Sequence, residues 1–134
     1  MLRAVASIVT IVVTAAISLA GCVWLRVPDM DPAFASATLD GVRLDQEREV
    51  AVQDWLTTHR SRWEIIVVTP PPDADQTVDL AYPDGQHVAL SIYAGRKYPA
   101  WRNVVVVFAD DPKRVGMQNF SDKDFADLAR ALKL

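Results

Sequence analysis

The sequence predicts an α+β fold: a helix, a four-stranded antiparallel meander and a C-terminal helix. Three observations predict it. Apolar residues recur at helical spacing over residues 45–60 and again after Ser121. Residues 63–69 and 101–109 are dense in β-branched side chains. Between them, residues 77–82 and 86–93 flank a turn sequence, and short connectors make successive strands antiparallel neighbours.

The first helix, residues 45–60, starts acidic with Asp45, Glu47 and Glu49. It ends basic with His59, Arg60 and Arg62, the polarity that suits the helix dipole. Val52, Trp55, Leu56 and His59 share a face. Leu44 would lie on it too, but Arg48 interrupts the stripe. In residues 63–69, Ile65, Ile66, Val67 and Val68 are apolar on both faces, which predicts a covered interior strand. Pro70, Pro71 and Pro72 end it, because proline has no N–H to give a ladder.

The next two strands form a hairpin around Pro83, Asp84 and Gly85. Proline presets the first central position of a type I turn, and Gly85 accepts the left-handed conformation of a bulge. This loop pairs Tyr82 with Gln86, Leu80 with Val88 and Val78 with Leu90, putting apolar residues together. A slip of one residue would turn Val88, Leu90 and Ile92 to the other face. Val104 to Phe108 is too apolar for a solvated face and predicts a central strand, ended by Asp110, Asp111 and Pro112. The last helix carries Ser121 as N-cap, Asp124 three residues on, and Phe120 and Phe125 in the staple positions. Phe125, Leu128, Ala129 and Leu132 make its stripe. A helix followed by an antiparallel meander looks like the cystatin-like element order, an analogy of order alone.

The N-terminus has a basic start at Arg3, a short apolar run to Ala20, and then Leu19-Ala20-Gly21-Cys22, which holds the only cysteine. These residues resemble the lipobox signal of bacterial lipoproteins. The resemblance implies cleavage between Gly21 and Cys22 and a diacylglyceryl group on the Cys22 sulfur. The protein would then be held to an envelope membrane with its domain outside the cytoplasm. Several acyl chains give lasting attachment, since one alone holds only marginally. Val23 follows the cysteine where an Asp would point to inner-membrane retention, so the resemblance favours the periplasmic face of the outer membrane. The expected organisation is a signal peptide over residues 1–21, a lipidated N-terminus and tether over 22–37, and one domain over 38–134. Within the tether, Trp24, Leu25 and Phe34 either rest at headgroup level or pack on the domain.

Composition narrows the function. The full chain has 14 basic and 17 acidic side chains, and loss of Arg3 with the leader brings the net charge from −3 to −4. An acidic domain argues against nucleic acid and against broad adhesion to anionic headgroups. With Cys22 lipidated, no disulfide forms within the domain, so stability rests on packing. All five glycines are isolated, so no phosphate loop exists. His59 and His87 stand far apart with no ligand neighbour, so no metal or cofactor is expected. Ser91, His87 and Asp79 assemble a hydrolytic triad on paper, but no nucleophile motif surrounds Ser91.

The best binding candidate is the inter-strand loop with Tyr93, Arg96, Lys97, Tyr98, Trp101 and Arg102, aromatics and cations together in an acidic domain. The bland alternative is that Tyr98 and Trp101 cap the core edge while the cations solvate the turn. The expected function is a non-catalytic, lipid-anchored module that binds another envelope protein, of inhibitor, immunity or assembly-factor type. An envelope hydrolase or cell-wall-modifying enzyme is one alternative. A structural lipoprotein that binds the wall or a small ligand is the other.

Overall fold

The computed structural model of the protein describes residues 29–109 and 114–134. The fold is α+β. In chain order the elements are β1 (Ser36–Leu39), β2 (Val42–Arg43), α1 (Gln46–Thr58), β3 (Gln76–Ala81), β4 (His87–Ala94), β5 (Arg102–Ala109), β6 (Arg114–Asn119) and α2 (Asp122–Ala131). All six strands form one sheet in the order β2-β1-β3-β4-β5-β6, every neighbouring pair antiparallel.

The hairpin register is as the turn chemistry demands. Val78 pairs with Leu90 and Leu80 with Val88. The Tyr82 N–H donates to the Gln86 carbonyl, and Gly85 sits at φ +87°. The Asp84 carboxylate accepts the Gln86 N–H at 3.0 Å and fixes the loop. Both helix starts follow their caps. Asp45 accepts the Arg48 N–H at 2.9 Å, and Ser121 accepts the Asp124 N–H at 3.1 Å. Val52, Trp55 and Leu56 of α1 and Leu128 of α2 are buried, together with Leu132 just beyond. They pack on Val78, Leu80, Leu90, Ile92, Val105 and Val107, which form the inner face of the sheet. Across the helices, the Trp55 indole N–H donates to the Asp124 carbonyl at 3.1 Å.

Four expectations are corrected. First, residues 63–69 form no interior strand: only Glu64 pairs, with Met117, at the outer edge of β6. Ile65, Val67 and Val68 are 47, 89 and 53% exposed. Arg62, at φ +73°, turns the chain just before this run, and prolines follow it. The segment therefore touches the edge once and crosses the outer face of the sheet as a strap, residues 64–75.

Second, the strand set differs from the four-stranded meander: β6 takes the last place beside β5, and the hairpin β1–β2 precedes α1, so the order does not begin with a helix. The turn of that hairpin is Asp40 and Gly41, both left-handed at φ +49° and +83°, the geometry of a tight two-residue loop. Third, the stretch read as tether enters the fold. Met30, Phe34 and Ala37 are buried in the core. Phe34 thus packs on the domain, while Trp24, Leu25, Cys22 and the whole leader lie outside the described residues. Fourth, the helix ends at Thr58, so His59 is its C-cap, and Arg60 is ion-paired with Asp29. Asp110, Asp111 and Pro112, expected to end β5, lie outside the described residues.

Candidate functional site

The aromatic and basic loop between β4 and β5 separates into a buried base and a charged rim. Alternation along β4 puts Leu90 and Ile92 inward, so Tyr93 projects from the outer face. It is not solvated there. Tyr93 is 3% exposed and packs with Val104 and Val106 in a second apolar cluster that also takes Ile66 and Ala74 from the strap and Tyr98, Trp101 and Met117. Its ring centre lies 5.2 Å from that of Trp101. Its hydroxyl donates to the Pro71 carbonyl at 2.7 Å, tying the strap down. Burial, with the charges of Tyr98, Asp73 and Asp75 around it, raises the phenol above its ordinary range. Tyr93 is therefore no surface residue, and Tyr98 and Trp101 are half-buried at the core edge.

The rim is held by hydrogen bonds to Asp75. Its carboxylate accepts the Ala94 N–H at 2.7 Å and the Lys97 N–H at 3.2 Å. Gly95 turns the chain at φ +78°, and a Cβ there would stand 3.2 Å from the Arg102 Cβ, so glycine is required. A Trp101 N–H to Tyr98 carbonyl bond of 2.9 Å closes the far side. Of the exposed cations, Lys97 donates through Nζ to the Ala74 carbonyl at 3.3 Å, and Arg102 reaches Asp122 at 3.4 Å. Arg96 is exposed and has no acid partner among the described residues. The loop is thus a hydrogen-bonded mount that presents a guanidinium without an acid partner among the described residues.

Ser91, His87 and Asp79 share the outer face, as the register requires. Asp79 lies opposite Ala89, diagonal to both. His87 and Ser91 are four residues apart on one strand, about 13 Å at ~3.3 Å per residue. No hydrogen bond joins any two of the three among the described residues. They are strand residues facing outward and form no relay. Among the described residues, no group of three His, Cys, Asp or Glu side chains could hold a metal ion.

One feature was not legible from spacing. Between α1 and α2 lies an open groove of about 500 Å³, lined by Asp54, Trp55 and His59 from one side and by Asp124, Asp127 and Arg130 from the other. His59 is half-buried in it, its ring 4.5 Å from Trp55 and 5.2 Å from Phe120. Residues so distant in sequence carry no shared motif. Only the packing of the helices brings them together.

No helix among the described residues is long and apolar enough to cross a membrane. Comparison with protein-family models, curated proteins and solved structures finds no match for this chain.

Proposed function

We propose that this protein is a lipid-anchored component of the bacterial envelope, held through Cys22, whose domain binds another envelope protein and performs no chemistry on it. Inhibitor, immunity and assembly-factor roles share this requirement for a small rigid domain kept beside membrane partners, where tethering raises the effective concentration. A cystatin-like layout of the helix and the strands after it belongs to this reading as an analogy of order, and fold alone fixes no ligand.

The supporting observation is the mount of Arg96. Arginine on a preorganised loop binds without a large ordering cost, because the Asp75 hydrogen bonds and the Tyr93 and Trp101 packing already fix the backbone. In a domain of net charge −4, that guanidinium selects a carboxylate on its partner. The test is cross-linking and co-purification from detergent-solubilised envelopes. An Arg96→Glu variant should lose a partner that the wild type recovers, with its melting temperature unchanged, since Arg96 is exposed. Recovery of the same proteins by both forms would remove the reading.

A further inference from the structure

We infer that the strap rests on the bilayer through Ile65, Val67 and Val68, beside the point where the lipid tether joins the domain. The inference builds on the anchor reading and specifies which face the anchored domain turns to the membrane.

The strap is fixed at both ends and apolar in the middle. Glu64 and Met117 exchange two backbone hydrogen bonds of 2.8 Å each, and the Tyr93 hydroxyl holds the Pro71 carbonyl. Ile66 packs inward on the second cluster, while Val67 is 89% exposed with Ile65 and Val68 half exposed on either side. Adjacent exposed apolar side chains on a fixed loop mark a contact surface.

Tether geometry says what covers it. The described chain begins at Asp29, which makes a two-pronged ion pair with Arg60 at 2.9 and 3.0 Å. Cys22 lies seven residues earlier, so its lipid reaches at most ~25 Å from Asp29. Arg114, the first residue of β6, is close enough to Asp29 to help hold its carboxyl below the ordinary range, and the strap enters against Met117 of that same edge strand, so tether and strap entry share the β6 edge. A domain of about 100 residues has a radius of gyration of about 13 Å, roughly 35 Å across. The tether is shorter than the domain is wide, so the side bearing Asp29 and the strap faces the membrane. Charge is balanced locally: Arg60 is ion-paired with Asp29, and Arg62 stands two residues from Glu64. The domain as a whole is acidic, so the contact is a local apolar one; attachment comes from the lipid and orientation from the strap.

The experiment places a quenchable dye on the strap. With Cys22 blocked by its thioether, a Val67→Cys variant made in a lipidating bacterium has one reactive thiol. A Val42→Cys variant is the control: Val42 is 68% exposed, on β2, the opposite edge of the sheet from β6. Both are reconstituted in phosphatidylethanolamine and phosphatidylglycerol vesicles containing a nitroxide lipid. The expected result is quenching at position 67 severalfold above that at position 42. Equal quenching, in protein shown by intact mass and flotation to be lipidated and bound, would overturn the inference alone and leave the strap for a protein partner. A bare thiol at Cys22, or failure to float, would overturn the anchor reading and this inference with it.

Discussion

Tyr82 shows how one side chain links local chemistry to stability. Its hydroxyl donates to the Asp31 carbonyl at 2.7 Å, pinning the N-terminal segment to the end of β3. Burial, reinforced by the negative charges of Asp31, Asp29 and Asp84, pushes its phenol up to about 12 from an ordinary 10.0. The sign follows directly. Between these values the unfolded chain releases the proton and the folded chain keeps it, so ionisation favours the unfolded state. The stabilisation is complete below pH 10 and is lost as pH rises towards 12. In denaturant titrations at fixed pH, wild-type stability should fall steeply above pH 10. Tyr82→Phe should start about 1 kcal/mol lower for its missing hydrogen bond and then fall more gently. It keeps a remainder from Tyr93, which burial pushes in the same direction. Parallel curves for the two proteins would contradict the assignment.

Elements were legible in the sequence where a local code sets them. The β3–β4 hairpin is the clearest case, since Pro83, Asp84 and Gly85 fix its loop and so the inward face of both strands. Gly85 carries that code in its backbone alone: it sits at φ +87° with no atom within 4 Å of where a Cβ would be. Gly85→Ala should therefore cost about 1–2 kcal/mol of pure conformational strain, and Gly85→Asn less, because asparagine tolerates the left-handed region. Urea midpoints that rank glycine, asparagine and alanine in that order would verify it. The Ser121 cap and the Val52, Trp55 and Leu56 stripe were equally local. By contrast, β6 carries little strand signal, with Gly116 buried in its middle, and exists because β5 offers an open edge. The strap is the reverse, rich in Ile and Val yet unpaired past Glu64, since pairing depends on which edge is within reach. The β1–β2 hairpin at Asp40 and Gly41 is missed in the sequence, because its strands are only four and two residues long and follow prolines and small acids that read as tether.

At the scale of the whole molecule, the sheet has two unequal faces, and the candidate site depends on the lesser one. The helices cover the inner face with the main core, whereas the outer face is covered over part of its area by the strap, packed on Tyr93, Val104 and Val106. The aromatic loop is legible in the sequence, but whether its aromatics face solvent or the core edge is not. What settles them is a lid contributed some twenty residues earlier in the chain. The Arg96 mount therefore stands on an apolar cluster with its own local stability. Tyr93→Phe tests this. It keeps the ring and deletes the hydroxyl bond to Pro71, costing about 1 kcal/mol. That lowers the melting temperature by about 4–8 °C and raises the population of the detached strap about fivefold. Cleavage by a broad-specificity protease within residues 64–75 should rise in proportion, since it tracks the open population. Tyr82→Phe is the matched comparison: it deletes an equivalent hydroxyl bond at the opposite end of the sheet, and should lower the melting temperature similarly without faster cleavage of the strap. Equal cleavage in the two variants would mean that the strap opens only with the whole domain, and that the loop bearing Arg96 has no separate foundation.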